Sequence, residues 1–375
     1  MMQSLVIHPA RARWVPRLEQ VERPRPPRAR QVQVQVEQVG VCSMDRSLLL
    51  RRHGTPPDPE RWVVGHEMVG RVTASGRDVR KIKVGDWVVP TLRRPCGVCA
   101  PCRADQPDEC TTTFYTEPGL HRAHGWASQW SVDHEAYLVV IPPAIADVAL
   151  LAEPLALAVK GAQYLATVQR RTLPSCSHFE HRWDQPRWAE DKHILVAGSS
   201  VMTIMAALYL RSLGAQVTLC APLAPPASLG TPLTDAGIVC IAGSVPEGFP
   251  AEQVERADAL VDTSGDPALI ASLVPRLYPN GAIVHLVPFT PLGGHSHDPT
   301  IASLSYRALS HPIALVPCYR MGKAHVEMAV QWLADAVGAR RFPLSALVDA
   351  TTPASQFAAL VRSPQPWLKS RITLS

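Results

Sequence analysis

Four cysteines stand close together in "PCGVCAPCRADQPDEC", at Cys96, Cys99, Cys102 and Cys110, with the spacing C-x2-C-x2-C-x7-C. Four thiolates complete a tetrahedral Zn²⁺ and leave no open position, which makes a structural rather than a catalytic site. The short spacers let one loop wrap the ion, so the metal supplies order that the loop lacks alone. The competing reading is a set of unrelated thiols.

A second stretch, "LVAGSSVMTIMAALYLRSLGAQVTLC" from Leu195 to Cys220, has the layout of strand, helix and strand that opens a dinucleotide-binding unit. The places of G-x-G-x-x-G hold Gly198, Ser200 and Thr203. The first glycine makes the turn, the second admits the pyrophosphate and the third allows close helix–strand packing. Ser200 adds a Cβ and Thr203 β-branched bulk, so binding is weakened without being excluded. Gly198, Ser199, Ser200, Val201 and Met202 remain the candidates for holding a pyrophosphate, because a helix N-terminus offers free N–H groups to an anion. The next strand ends in "LCAPLAPPAS", with no acid for a ribose hydroxyl and no base for a 2′-phosphate.

The elements that must position these residues fall into two patterns. "QVQVQVEQVGVC" (Gln31 to Cys42) alternates as a half-buried strand, and "VVGHEMVGRVTASG" and "VGDWVVPTL" read as short strands between glycine turns. The first 145 residues are therefore expected to be β-rich, followed by a helix in "VALLAEPLALAVKGAQYLATV" with Pro154 near its start. Residues 168–192 are polar and irregular, as a connection would be. From His193 strands and helices alternate: "HILVAG", a helix to Leu213 with Gly214 as its C-cap, "QVTLCA", "ADALVDTSG", "PALIASLVPRLY" and "GAIVHLVPF", the sign of a parallel sheet. A helix from about His325 to Val337, which Gly338 is placed to end, and a strand "SRITL" close the chain.

The 375 residues, 46% hydrophobic and 18% charged, suffice for two or three domains with sizeable cores. A net charge of +5, with basic residues scattered, does not point to nucleic acid. The one dense run, "RPRPPRAR" at Arg23 to Arg30, reads as a solvated loop before a strand, with a phosphate-binding arm as the alternative. The first residues lack the apolar core of a signal peptide, and no run of 18 apolar residues exists, so a cytoplasmic protein that does not span a membrane is expected. Nine cysteines without a secretion signal fit a reducing compartment. His295 and His297, and Cys176, His178 and His181, read as loop residues without a role; Cys220, Cys240 and Cys318 read as packing thiols.

"GVCSMD" and "GHEMVGRV" together with the cysteine cluster resemble the zinc-containing medium-chain alcohol and polyol dehydrogenases. "VVPTLRRPC", "YTEPGLHRAHG" and "LLAEPLAL" are similar to segments of the microbial glucose dehydrogenases of that superfamily. The resemblance implies an α/β fold: a GroES-like β-rich catalytic domain (1–185), a doubly wound Rossmann-type domain (186–307), and a C-terminal part (308–375) returning to the first. It implies a structural and a catalytic Zn²⁺, a nicotinamide cofactor, a small-molecule substrate, and a homodimer or homotetramer. It places Cys42, His66, Glu67 and Glu153 at or beside the catalytic zinc, leaving a position open for substrate. Asp45 falls on a residue that orients the site. Glu117 falls on an acidic residue near substrate, against which stands a turn carboxylate beside Pro118. The family's proton-relaying hydroxyl, two residues after the ligand cysteine, is replaced by Met44; Ser43 is its neighbour. An asparagine that the subgroup carries before the late helix is missing from "ALVPCYRMGKAH".

Three functions follow. The first is a zinc-dependent NAD or NADP oxidoreductase acting on a sugar, polyol or other alcohol. The second is a redox-neutral zinc Lewis-acid enzyme with Glu67, Glu117 or Glu153 as base. The third is a non-catalytic zinc-binding homologue.

Overall fold

The computed structural model describes residues 1–170, 187–245, 248–287, 313–362 and 366–374. The segments holding Cys176, His178 and His181, and His295 and His297, lie outside the described residues. The chain divides into two compact units, 1–153 with 320–340 and 344–375, and 154–319 with 341–343.

In the first unit the alternation of Gln31–Val41 is realised as a strand with Val32, Val34 and Val36 inward. It is the hub of a seven-stranded sheet. The strands run in the order Leu138–Ile141, Trp87–Pro90, Met68–Ser75, Gln31–Val41, Lys369–Thr373, Val348–Pro353, and Trp130–His134 also pairs with the hub. A three-stranded sheet of Arg17–Val21, Met2–Ile7 and Trp62–Val63 stands beside it. The shared core holds Val32, Val34, Val72, Val88, Trp62 and Phe357. The C-terminal strand Lys369–Thr373 pairs antiparallel with Val39–Val41, so the end of the chain completes the sheet begun near its start.

The second unit holds a six-stranded parallel sheet, ordered Ile238–Ala242, Gln216–Ala221, His193–Ala197, Ala257–Asp262, Leu277–His285, Ala314–Pro317. That is the doubly wound order 3-2-1-4-5-6, with its switch point between the first and fourth strands. The helix Val201–Ser212 follows the first strand, as its sequence pattern predicts. The helix Ala152–Gln169 starts two residues before Pro154. Gln169 donates to the carbonyl of Asp258 and Gly161 abuts Val284 and Leu286, so from Pro154 onward this helix belongs to the parallel sheet rather than to a domain reaching 185. Gly338 does not end the late helix. Lys323–Ala339 runs through it, and Arg340 takes the left-handed cap at φ 51°. Among the described residues no helix is long and apolar enough to cross a membrane.

The Arg/Pro run is an exposed loop whose last residue is anchored. Arg30 Nε donates to Glu135 Oε1 at 2.8 Å, and Glu135 Oε2 accepts the Arg80 and Lys81 N–H groups at 3.0 and 2.8 Å. The Lys81 and Arg80 amides and Arg30 outweigh burial and hold this carboxyl at about 2 against an ordinary 4.5. A lowered folded-state pKa stabilises above the unfolded value and is lost as pH falls through the folded one. Glu135→Gln is expected to lower unfolding free energy at pH 7 by about 1–3 kcal/mol. In urea titrations at a series of pH values, the difference from wild type should shrink between about 4.5 and about 2.

Candidate metal centres and dinucleotide site

The Sγ atoms of Cys96, Cys99, Cys102 and Cys110 lie within 4.8 Å of one another. Cys99 and Cys110 come together at 3.9 Å across a loop with only one short helix, Ala100–Arg103, and one 3₁₀ turn. A loop with so little regular structure and four converging thiols fits a tetrahedral ion.

The second group is Cys42, His66 and Glu67, whose donor atoms also lie within 4.8 Å of one another. Cys42 is the N-cap of the helix Ser43–Leu49; its Sγ accepts the Met44 N–H at 3.3 Å, and its own N–H donates to Asp45 Oδ2 at 2.9 Å. Asp45 is fully buried, and its other oxygen faces His66 Nδ1 at 3.2 Å. That contact puts the ring proton on Nδ1 and turns Nε2 toward Cys42 Sγ, 3.2 Å away. Glu67 Oε1 is 3.5 Å from His66 Nε2. Lys369, itself buried, donates to Oε1 at 2.6 Å. Its Nζ also lies 2.5 Å from Oε2, but not in hydrogen-bonding geometry, so Oε2 is buried without a hydrogen-bond partner. Burial opposes the charge of Glu67, but Lys369 and His66 prevail and hold its carboxyl at about 2. A thiol, an imidazole with a fixed tautomer and a carboxylate held charged by Lys369 fit an open-sided Zn²⁺. Gly40 permits the arrangement, since a Cβ there would collide with the Glu67 carboxylate.

Glu153 lines the same cavity as His66 and Glu67 but is not in the three-donor group. Burial first, then Glu67, raises its pKa. Ser43 is exposed at the start of its helix, while Met44 packs against the hydrophobic core. Glu117 is buried between two guanidiniums. Arg93 Nε and Nη2 reach its Oε1 at 2.9 and 2.8 Å, and Arg320 reaches Oε1 and Oε2 at 2.6 and 3.1 Å. Burial disfavours the charge, yet Arg320 and Arg93 keep this carboxyl below its ordinary range.

In the second unit Gly198 holds φ +146°, and a Cβ there would strike the Thr263 and Thr203 hydroxyls. Ser200 is the helix N-cap, accepting the Thr203 N–H at 3.3 Å, while Thr203 Oγ1 accepts the Ser200 N–H at 3.0 Å and meets Thr263 Oγ1 at 2.7 Å. Val201 and Met202 form the half-buried first turn. Ser199 Oγ donates to the Leu223 carbonyl at 3.1 Å and accepts its N–H at 2.9 Å, joining this turn to the tip of the next strand. Beside the turn, buried Asp262 accepts three bonds from Ser264 and Gly265 through Oδ1 and meets His285 Nδ1 through Oδ2 at 2.9 Å.

Lys369, Arg320, Thr263 and the Asp262–His285 pair were not legible as site residues. Each is an ordinary residue of a strand or loop whose partner lies far away in sequence. Arg93 stood in a segment noted only for its resemblance.

The geometry predicts two zinc ions per chain. Cys99→Ser should retain about one ion and lose more than about 3 kcal/mol of stability, because the loop depends on its metal. Cys42→Ser should also retain one ion but unfold close to the wild-type temperature. Elemental analysis with thermal melts separates the two.

Residues 28–143 match the alcohol dehydrogenase GroES-like domain. Glucose 1-dehydrogenase 1 of Caldivirga maquilingensis is 31% identical over 324 residues, covering 86% of this chain and 84% of that one. Glucose 1-dehydrogenase of Methanocella arvoryzae is 36% identical over 204 residues, and there the match spans 54% of this chain and 52% of the relative. The structure of Haloferax mediterranei glucose dehydrogenase in complex with NADP, Zn and gluconolactone superposes with a TM-score of 0.80 at 24% identity, covering 100% of this chain and 99% of that one. The chain belongs to the zinc-containing medium-chain dehydrogenase superfamily, beside its glucose 1-dehydrogenases.

Proposed function

We propose that the protein is a zinc-dependent oxidoreductase that oxidises a hydroxyl of a sugar, polyol or related alcohol with NAD or NADP. The observation that carries the reading is the convergence of Cys42, His66 and Glu67, with Asp45 and Lys369 behind them. Kinship with glucose 1-dehydrogenases supports the sugar class. The doubly wound strand order and the left-handed turn at Gly198 support a dinucleotide.

Zinc, when bound, polarises the substrate oxygen and lowers its pKa. The nicotinamide, when bound, takes the hydride. The chain's own residues do the rest. Asp45 fixes the His66 tautomer so that Nε2 faces the other donors. Lys369 keeps Glu67 a carboxylate inside an apolar shell. Met44 has no exchangeable proton and packs into the core, so the substrate proton passes instead to a carboxylate oxygen of Glu153, which lines the cavity. The hydroxyls of Thr203 and Thr263 crowd the pyrophosphate turn, so binding there uses the helix N-terminus at Val201 and Met202 more than a glycine cradle. The same reading takes the protein to be cytoplasmic and a homodimer or homotetramer.

The redox-neutral reading draws on Met44 together with Ser200 and Thr203, yet Gly198 keeps the turn's left-handed conformation. The test follows NAD(P)H absorbance with zinc-loaded protein, NAD⁺ or NADP⁺, and a panel of aldoses, polyols and their acids. Cofactor-dependent turnover is expected, with Glu153→Gln lowering kcat by about 10²–10⁴-fold, the range for a lost general base. Absence of turnover and of calorimetric cofactor binding at millimolar concentration would overturn the reading.

A further inference from the structure

The Arg/Pro run does not stand alone on the surface. Its last turn, residues 28–30, packs on the hairpin loop 76–86 between the strands Met68–Ser75 and Trp87–Pro90. Gly76 N donates to Gln31 O at 2.8 Å and Asp78 N to Ala29 O at 3.0 Å, and a Cβ at Gly76 would strike the Ala29 carbonyl. Glu135 locks the two connections together from beneath. One of its oxygens takes the Arg30 guanidinium, the other the Arg80 and Lys81 N–H groups. Ala29 holds φ +47°, a left-handed conformation that a residue with a Cβ seldom adopts.

The junction gathers cations that are scattered in the sequence. Arg28, Arg30, Arg77, Arg80, Lys81 and Lys83 are all exposed. Carboxylates answer two of them: Glu135 pairs with Arg30, and Asp78 lies 3.5 Å from Arg77. Asp86 is turned to the Lys83 N–H, at 2.8 Å. Arg28, Arg80, Lys81 and Lys83 have no ion pair among the described residues. Like charges at close quarters repel and weaken the compact state. Here a buried carboxylate and a left-handed turn hold them together nonetheless. Val84, 60% exposed, follows Lys83 and sets an aliphatic side chain among the charges.

We infer that this face, the turn 28–30 with the loop 76–86, docks an acidic segment of a partner protein. The unmatched cations stand on two adjoining connections, so they suit carboxylates spread along an extended chain. Val84 decides between polyanions. An acidic peptide can set an aliphatic residue against it, whereas a nucleic-acid backbone presents phosphate and sugar. A bilayer surface calls for a larger apolar face than one valine. None of these residues is a metal donor or lines the metal donors' cavity, so the inference is independent of the dehydrogenase reading.

The test is fluorescence anisotropy of a labelled peptide of repeated Glu-Glu-Leu, titrated with the zinc-loaded protein. Binding is expected at about 50 mM salt and should weaken severalfold by about 200 mM, because exposed charges are screened. Arg28→Ser combined with Lys81→Ser should weaken it about fivefold or more, as two exposed charge pairs are lost. The same variant should melt no lower than wild type, since neither side chain has an ion pair within the chain. Arg341→Ser combined with Arg362→Ser removes equal charge from exposed positions elsewhere and should change binding less than about twofold. Val84→Ser should weaken this peptide and leave an all-Glu peptide unchanged. Equal losses in the two double variants, or no binding at about 50 mM salt, overturn the inference. Tighter binding of single-stranded RNA of equal charge, or of phosphatidylserine vesicles, overturns the assignment to an acidic protein segment.

Discussion

A buried lysine holds a buried carboxylate next to the metal donors. Lys369 and Glu67 are 302 residues apart, yet Nζ and Oε1 are 2.6 Å apart in a shell that excludes water. Either charge alone would be expensive there, because desolvation is repaid only by a close partner. The pair therefore ties the last strand to the strand pair Gln31–Val41 and Met68–Ser75. It also leaves one carboxylate oxygen without a hydrogen bond. The requirement that the sheet close and the requirement that the metal have a carboxylate are met by one contact.

The same economy appears at Cys42. As N-cap it satisfies the Met44 N–H, while Asp45 returns the bond to the Cys42 N–H. This reciprocal cap starts a seven-residue helix too short to be stable alone. Having fixed the backbone, Asp45 uses its second oxygen on His66. The orientation of the imidazole is thus coupled to helix initiation, while Met44 packs against the hydrophobic core.

The second unit keeps the dinucleotide scaffold and alters its lining. Gly198 retains a backbone conformation that side chains rarely adopt, so the turn survives. Where two further glycines would leave room, Ser200, Thr203 and Thr263 fill the space with hydroxyls that bond one another. Ser199 then clasps the tip of the neighbouring strand through Leu223. These bonds make the turn self-satisfied, and a phosphate must compete with them for the helix N–H groups. The departures are therefore a change in how an anion is held, within an intact strand order.

The four-cysteine loop, the alternating strand at Gln31–Val41 and the βαβ series were legible because each is carried by local spacing, whereas Cys42, His66 and Glu67, far apart in sequence, became candidates only through the resemblance of "GVCSMD" and "GHEMVGRV". The boundary at 185 was less legible: a helix follows whichever sheet buries its apolar face, and Gly161 and Gln169 meet residues far along the chain. Gly338 misled for a related reason, since glycine permits a left-handed cap without requiring one and Arg340 takes it. The sequence by itself determined which elements form and where four cysteines can bind a metal, because periodicity and close ligand spacing are local properties. Only the tertiary structure decided that Lys369 neutralises Glu67, that Arg93 and Arg320 share Glu117, and that threonine hydroxyls occupy the pyrophosphate turn. Buried charges and hydroxyls acquire their meaning from partners, and chain folding alone chooses the partner.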